Sequence, residues 1–325
     1  MAAGSKTIGH GSEPQGGLGN RLVSFANRLN LTYWLVIAGS ALARRVPTRA
    51  SYAVASFIGD LVFLTWSEKR NNAIANMRRI LGPGASESRA RRTAQLSYRN
   101  YLKYTVDFLR FPSLSAKQIR DAVDVVGLDH LNRALAEGKG VIFVGVHFGH
   151  FDWGAATLAV FGYPVHAVVD TFRPAKLNDL IQRHRIEKGL KVIPLEGAAR
   201  GVLRALKNKE ILGLLVDKPM PGEGVRVNFF GAPIEVPAGA ATLALKTGAP
   251  IIAGHIVRED DRGKFSGIIY PPLQVERSGD LRHDVVVLTQ RMMDLLGEMI
   301  QQHPEQWYMF RRMWDAEALQ SAGTT

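Results

Sequence analysis

The 325-residue chain contains no cysteine. This absence excludes disulfides, zinc–thiolate sites and a cysteine nucleophile, and it leaves the redox compartment undefined. Acidic residues are scarce as well, with 29 Asp and Glu against 41 Lys and Arg, so the formal net charge is +12. Such an excess favours an anionic partner, namely lipid headgroups, an acidic carrier protein or nucleic acid. Hydrophobic residues make up 46% of the chain, which is enough for a full core.

The amino-terminal region lacks both a secretory signal and a long apolar run. Residues 1–20 are rich in Gly and Ser, without a basic segment followed by an apolar one, and are interpreted as a disordered tail. The apolar stretch 31–43 is shorter than the roughly 20 residues that span a bilayer. The stretch 50–66 contains Asp60, whose charge is costly at the bilayer centre.

Two interpretations of these apolar stretches remain, as helices lying in the membrane interface or as ordinary core helices. The arginines between them favour the interface, and these are Arg44, Arg45 and Arg49. The following segment, 68–110, is strongly basic. A charge run is commonly a solvated helix face, but beside interfacial helices each Lys or Arg contributes about 1 kcal/mol to binding anionic lipid. We therefore predict a helical membrane-associating region over residues 21–118.

From about residue 120 the pattern changes to alternating strands and helices, with a final helix over 283–301. This alternation predicts an α/β fold with a mostly parallel central sheet flanked by helices. We assign residues 119–315 to this domain and 316–325 to a flexible tail. The predicted strands are 141–146, 165–169, 191–194, 211–216, 251–257 and 265–270, with an edge or hairpin strand over 224–230.

The strand predicted at 141–146 ends in the run His-Phe-Gly-His-Phe-Asp, residues 147–152. Open α/β sheets place their chemistry at the carboxyl ends of strands. Residues five apart do not share a helical face, so His147 and Asp152 meet only if Asp152 lies in the first turn of the next helix. Gly149 suits the turn between strand and helix. A carboxylate on one imidazole nitrogen then leaves the other nitrogen as a proton acceptor.

Two other interpretations of this run stay open. Either the histidine is structural and the aspartate caps the following helix, or His147, His150 and Asp152 are metal ligands. No cysteine and no further cluster of histidines completes a metal site in the sequence. We therefore predict no metal and no other cofactor.

Several segments resemble, in the same order along the chain, the bacterial lipid A late acyltransferases and the phosphatidylinositol mannoside acyltransferases, within the H-x4-D glycerolipid acyltransferase superfamily. The resemblance covers roughly residues 30–315. The run 147–152 ends in Asp, as in the mannoside and glycerolipid branches, where many lipid A enzymes have Glu. The other matching segments are 70–77, 171–174 with Asn178, Arg185 with Gly189, 192–195, 214–217, 228–231, 237–239, and 304–308 with Arg311, Arg312 and Trp314.

The resemblance implies transfer of a fatty acyl chain from acyl-carrier protein or acyl-CoA to a hydroxyl of a glycolipid or phospholipid, without an acyl-enzyme. It implies His147 as the general base and Asp152 as the group that orients it. Arg173 and Arg185 are candidates for binding a substrate phosphate, with helix-surface ion pairs as the alternative. Asp217, at the end of a predicted strand, is a candidate for binding acceptor hydroxyls, with a turn or cap as the alternative.

The expected partners are therefore a membrane lipid acceptor, an acyl donor and an anionic membrane surface. The expected location is the cytoplasmic face of the plasma (inner) membrane, peripheral or monotopic. A non-catalytic peripheral protein that binds anionic lipid is the main alternative, and a metal-dependent hydrolase is a further one. No nucleic-acid partner is expected, because the basic residues form no recognisable binding motif. Trp307 and Tyr308 are expected in the core or an interface rather than in the site.

Overall fold

The structure is a computed structural model and describes residues 31–314 with the exception of residue 221. The predicted tails, 1–20 and 316–325, lie outside the described residues. The described chain begins with helices, and a 3₁₀ turn, Phe111–Ser113, follows the longest of them. These helices are α1 (Leu31–Ala43), α2 (Thr48–Thr65), α3 (Ser67–Ile80), α4 (Glu87–Arg110) and α5 (Ala116–Asp121).

Helix α2 has one buried face and one exposed apolar face. The buried face packs on α4 and includes Tyr52 and Phe63. Asp60 also faces α4, where its two carboxylate oxygens each accept a hydrogen bond from the Arg99 guanidinium at 2.7 Å. The charge that argued against a membrane span is therefore paired within the protein. Each of the two interpretations of this stretch describes one side of the helix, since one side belongs to the core and the other remains exposed.

Among residues 31–314, no single helix is both long enough and apolar enough to cross a bilayer. Helices α2 and α3 meet the length and composition requirement only as a pair, across a bend of 99°. Trp66 lies between them with a non-helical backbone conformation, φ −95° and ψ 77°, which produces the bend.

The α/β part follows, with strands and helices in alternation and a long final helix. The strands are β1 (Val123–Val126), β2 (Val141–Gly145), β3 (Val165–Val169), β4 (Lys191–Pro194), β5 (Ile211–Leu215), β6 (Val225–Phe229), β7 (Ala232–Val236), β8 (Ile251–Arg258) and β9 (Phe265–Ile269). The helices are α6 (Leu128–Ala136), α7 (Phe151–Val160), α8 (Ala175–Ile186), α9 (Ala199–Lys207), α10 (Gly239–Thr247) and α11 (Leu281–Gln302), followed by a 3₁₀ turn at Pro304–Gln306.

Within the described residues, seven strands form one sheet in the order β1-β9-β8-β2-β5-β3-β4, and β6 and β7 form a separate antiparallel hairpin. Neighbouring strands of the large sheet are parallel except β8 and β9. The predicted α/β class, with a mostly parallel sheet preceded by a helical region, is confirmed. Strands β1 and β7 were not predicted. The first is a four-residue edge strand, and the second contains Pro233, a residue typical of edge strands.

The central strands β2 and β5 are neighbours in the sheet although other strands lie between them in the chain. Both are almost uniformly apolar, as is typical of parallel strands covered on both faces. Their register pairs Gly145 with Leu215. His147 and Asp217 each follow two residues after this pair, so the two side chains reach the carboxyl edge of the sheet together.

The segment after β2 is fixed by main-chain hydrogen bonds and by close packing. The Gly149 N–H donates to the Gln306 carbonyl and the Tyr308 N–H donates to the His147 carbonyl, both at 2.8 Å. Gly149 has φ +59°, and a Cβ added there would lie 1.7 Å from the carbonyl oxygen of Ile256 on β8. The glycine in this strand-to-helix turn is therefore required both by its backbone conformation and by the approach of β8.

We expect Gly149→Ala to lower the free energy of unfolding by more than Gly162→Ala does. Both glycines have positive φ, +59° and +94°, so both substitutions carry the left-handed penalty of roughly 1–2 kcal/mol. A Cβ at Gly162 meets no atom within 4 Å, whereas one at Gly149 overlaps Ile256. Urea unfolding of both variants measures the difference. Equal losses would show that contact with β8 does not restrict this position.

Candidate active site

His147 and Asp217 are joined through the imidazole ring. The His147 Nδ1 lies 2.7 Å from Oδ1 of Asp217. The other carboxylate oxygen, Oδ2, accepts the His147 backbone N–H at 3.0 Å and the Trp307 indole N–H at 2.9 Å. The carboxylate therefore fixes the imidazole and is itself held from two further directions. Trp307 is fully buried, as expected for a core residue, but it also belongs to this site.

The environment of this pair decides its protonation. Asp217 is fully buried, which opposes its charge, but the interaction with His147 outweighs burial and lowers the pKa of Asp217. Burial likewise opposes charge on His147, but Asp217 outweighs it and raises the pKa of the His147 imidazole. A neutral imidazole that donates Nδ1–H to this carboxylate has Nε2 available as a proton acceptor.

Asp152 has other partners. It lies buried in the first turn of α7, where its carboxylate accepts the Tyr104 hydroxyl at 2.5 Å and two Arg185 guanidinium N–H groups at 2.7 and 3.3 Å. Burial opposes the charge, but Arg185 outweighs it and lowers the pKa of Asp152. The carboxylate on the His147 ring is thus Asp217 and not the expected Asp152. The reason is the strand register, which brings Asp217 to the ring while α7 directs Asp152 toward α4 and α8.

A cavity of about 230 Å³ opens beside His147 at this edge of the sheet. Three of its lining side chains are cationic and come from distant parts of the chain, namely α3, the segment after β5 and the carboxyl-terminal segment. None of the three was predicted as a site residue, although Arg311 belongs to a segment of the family resemblance and Lys69 and Lys218 each adjoin one. The lining residues are Lys69, His147, Asp170, Lys218, Tyr308, Met309, Phe310 and Arg311.

The two arginines predicted to bind phosphate have different surroundings. Arg185 is buried, and its guanidinium is bonded to Asp152 and, at 3.0 Å, to the Gln182 side chain. This is the ion-pair alternative, although in the interior rather than on a helix surface. Arg173 is exposed in the segment before α8. The described residues that line the cavity include neither arginine.

His150 has surroundings separate from those of His147. Its Nδ1 accepts the Trp153 backbone N–H at 3.1 Å and so caps α7. Burial lowers the pKa of His150 to about 4, which keeps the ring neutral at physiological pH. The three groups considered as metal ligands, His147, His150 and Asp152, therefore have different partners. Residues 31–314 contain no cluster of three His, Asp or Glu side chains arranged to hold a metal ion.

We expect Asp152→Asn to destabilise the fold strongly, because it leaves the buried Arg185 charge without its carboxylate. Breaking a buried pair from one side costs about 3–5 kcal/mol. The matched variant is the double substitution Asp152→Asn with Arg185→Met, which removes both charges and should lose less than the sum of the two single substitutions. Urea unfolding of the three variants measures this coupling. Additive losses would show that the ion pair does not support the fold.

Comparison with known proteins places the chain in a family. The profile of the family described as bacterial lipid A biosynthesis acyltransferase matches residues 23–316. A phosphatidylinositol mannoside acyltransferase of Mycobacterium tuberculosis (strain CDC 1551 / Oshkosh) is 30% identical over 253 residues, which cover 76% of this chain and 77% of that protein. The phosphatidylinositol mannoside acyltransferase of Mycolicibacterium smegmatis is 29% identical over 225 residues, covering 68% and 72%. The lipid A biosynthesis palmitoleoyltransferase of Escherichia coli (strain K12) is 27% identical over 161 residues, covering 48% and 51%.

These matches confirm the family resemblance and the predicted enzyme class, an acyltransferase that transfers groups other than amino-acyl groups (EC 2.3.1). Such an enzyme requires an acyl donor and, in this family, a lipid acceptor. Since the family profile extends over nearly the whole chain, the protein belongs to the bacterial lipid A biosynthesis acyltransferase family.

Proposed function

We propose that the protein is a membrane-associated O-acyltransferase in which His147 is the general base for an acceptor hydroxyl. The observation that carries this proposal is the His147 imidazole, which is held by the buried Asp217 carboxylate and lines a cavity at the carboxyl edge of the sheet. The ring nitrogen that Asp217 does not bond can accept a proton. A positioned base of this kind contributes roughly 10²- to 10⁴-fold to a rate.

The reaction proceeds by direct transfer. The His147 Nε2 removes the proton of the acceptor hydroxyl as its oxygen attacks the carbonyl carbon of the acyl thioester. The tetrahedral intermediate then collapses, the carbon–sulfur bond breaks, and the leaving thiolate takes the proton from the imidazolium. No covalent acyl-enzyme forms, and the lack of cysteine agrees with this order of events.

Two carboxylates divide the supporting roles. Asp217 is the positioning residue for His147, because it fixes the ring and stabilises the transient imidazolium. Asp152 supports the site indirectly, since its ion pair with Arg185 and its hydrogen bond to Tyr104 join α7 to α8 and α4. Asp217 is fully buried with both oxygens bonded to protein groups, so we no longer assign it to the acceptor hydroxyls.

The donor is an acyl thioester, either acyl-CoA or acyl-carrier protein, and the acceptor is a hydroxyl of a glycolipid or phospholipid. The names of the relatives, which specify phosphatidylinositol mannoside and lipid A, support a glycolipid acceptor. The net charge of +12 suits each of the anionic participants, the carrier protein, coenzyme A and a phosphorylated lipid.

The exposed face of the amino-terminal helices supports attachment to a membrane surface. On α2 the exposed apolar side chains recur at helical spacing, and on α1 a similar set is exposed. Exposed cations lie in the turn between the two helices and at the start of α2, an arrangement that suits the interface of anionic lipid. The α2 set is Val54, Phe57, Ile58, Leu61 and Leu64, the α1 set is Leu31, Trp34, Leu35 and Leu42, and the cations are Arg44, Arg45 and Arg49.

A non-catalytic protein that binds anionic lipid would need the exposed apolar face of α1 and α2. It would not need an imidazole oriented by a buried carboxylate beside a cavity, which is the feature that favours the enzyme.

We expect His147→Ala to lower the rate of acyl transfer by roughly 10²- to 10⁴-fold while leaving the fold intact. The assay mixes purified protein with acyl-CoA or acyl-carrier protein and membrane lipid extract, and detects acylated lipid by mass spectrometry. His283→Ala, which removes an exposed histidine at the start of α11, is the matched control. Full transfer by a folded His147→Ala protein would rule out the mechanism, and loss of activity on chelation with recovery on adding zinc would favour a metal-dependent site.

The same assay tests the role of Asp217 through its pH dependence. Asp217 raises the pKa of His147, and only the neutral imidazole accepts a proton, so activity rises with pH through that raised pKa. Asp217→Asn removes the raising charge, so the acid limb of the kcat/KM profile should move to lower pH while the maximal rate falls. Asp152→Asn, measured on folded protein, should leave that limb in place. A limb that moves with Asp152→Asn alone would return the positioning role to Asp152.

We expect Phe57→Ser combined with Leu61→Ser to weaken binding to anionic liposomes by about tenfold or more. Each substitution removes apolar surface that would be buried in the membrane on binding. Co-sedimentation at two salt concentrations measures this, and binding should also weaken as salt rises. Leu203→Ser combined with Val286→Ser removes exposed apolar side chains from α9 and α11 and is the matched control. Unchanged sedimentation of the α2 variant would show that this face does not contact the membrane.

A further inference from the structure

The cavity beside His147 carries more positive charge than a general base requires. Lys69, Lys218 and Arg311 all line it, against a single acidic lining residue, Asp170. These three cations, hereafter the cation triad, come from α3, the segment after β5 and the carboxyl-terminal segment. Three like charges that line one cavity repel one another. A negative group bound between them would offset this repulsion.

The charges of the triad are only partly balanced by the protein. The Lys218 ammonium lies 3.3 Å from Asp170, and both side chains are about half exposed, at 42% and 54%. Lys69 has Glu68 at 3.9 Å, beyond hydrogen-bonding distance. Arg311 is exposed and has no ion-pair partner among the described residues. Net positive charge therefore remains in this small cavity.

The fold holds the triad in place through the backbone. The buried Asn76 side chain donates from its amide nitrogen to the carbonyls of Met309 and Arg311, at 2.9 and 2.8 Å. Lys69 lies two helical turns before Asn76 on α3, on the same side of that helix. Lys218 directly follows Asp217, which is fixed by His147 and Trp307. The arrangement is therefore built into the same framework that positions the base.

We propose that Lys69, Lys218 and Arg311 form a phosphate-binding subsite beside the base, which holds a phosphate group of a substrate. The inference rests on the proposed function for the identity of that substrate, but not for the binding itself. The Arg311 guanidinium can donate hydrogen bonds to two phosphate oxygens. The ammonium groups of Lys69 and Lys218 lie on flexible side chains and add positive point charges.

Of the two sources of phosphate, the position favours the acceptor lipid. A phosphate in the same small cavity as His147 lies close to the hydroxyl that is being deprotonated. In a thioester donor the phosphate is separated from the sulfur by the whole pantetheine arm. A headgroup phosphodiester near the accepting hydroxyl therefore fits this position better. The phosphate of the donor is the alternative, and the experiment below distinguishes the two.

The test is direct binding to the full chain by isothermal titration calorimetry, which needs no turnover. The probes are glycerophosphoinositol, a headgroup phosphodiester without acyl chains, and coenzyme A. We expect Lys69→Gln, Lys218→Gln and Arg311→Gln each to weaken glycerophosphoinositol binding by about tenfold, as for loss of one charged hydrogen bond. Arg311→Lys should restore part of that binding, and His147→Ala should retain it. Lys207→Gln and Arg204→Gln, on the exposed side of α9, are matched losses of charge.

The outcomes separate the two proposals. Weakened binding of glycerophosphoinositol alone supports the subsite and assigns it to the acceptor, whereas weakened binding of coenzyme A alone supports the subsite and assigns it to the donor. Wild-type protein that binds neither probe, or triad variants that bind both as wild type does, overturns the subsite. If probe binding depends on the triad but no acyl thioester yields acylated lipid in the acyl-transfer assay, the proposed function is wrong and the subsite is still supported. In the acyl-transfer assay the triad variants should raise KM for a phosphorylated acceptor more than they lower kcat.

Discussion

The buried carboxylate of Asp217 is the group on which the rest of the site depends. Its two oxygens form hydrogen bonds with the His147 ring, the His147 backbone N–H and the Trp307 indole. These bonds join the segments after β2 and β5 to the carboxyl-terminal segment. A charge placed in the interior is stable only when its hydrogen bonds are satisfied, so each of these partners is constrained by the others. The imidazole is consequently fixed before any substrate arrives, which is what efficient proton transfer requires.

A buried ion pair connects the amino-terminal helices to the sheet, and a second buried pair is linked to these helices by a hydrogen bond. Asp107 on α4 binds the Arg258 guanidinium of β8 at 2.5 Å, and the Tyr52 hydroxyl of α2 lies within 2.6 Å of both groups. The Asp152–Arg185 pair joins α7 to α8, and the Tyr104 hydroxyl links this pair to α4 by a hydrogen bond to Asp152. Since one partner left alone would be a buried unpaired charge, the helices and the sheet have a strong energetic reason to remain docked. The exposed apolar face of α2 is therefore held in a defined position relative to the cavity.

The positions of most strands could be predicted from the sequence, but their order in the sheet could not. The strands ending before His147 and Asp217 were both predictable from short apolar runs, and so was their arrival at the carboxyl edge of a parallel sheet. That β2 pairs with β5 was not, because strand order depends on long-range packing that local periodicity does not encode. Without that pairing the nearer carboxylate, Asp152, was the natural partner for the imidazole. The cation triad escaped prediction for the same reason, since its members are far apart in the chain and Lys69 lies within a generally basic run.

The charges around the cavity act on the His147 imidazole in opposing directions. Burial and, more weakly, Arg311 lower the pKa of His147, whereas Asp217 and, more weakly, Asp170 raise it, and the net effect is a raised pKa. A base surrounded only by carboxylates would be protonated too readily, and one surrounded only by cations would hold a proton too weakly to take it from a hydroxyl. By combining one buried carboxylate with cations that are partly or fully exposed, the site keeps an oriented imidazole while leaving positive charge in the cavity. That charge lines the same cavity as the imidazole, so a phosphate bound there would offset the repulsion among the cations while the imidazole stays held by Asp217.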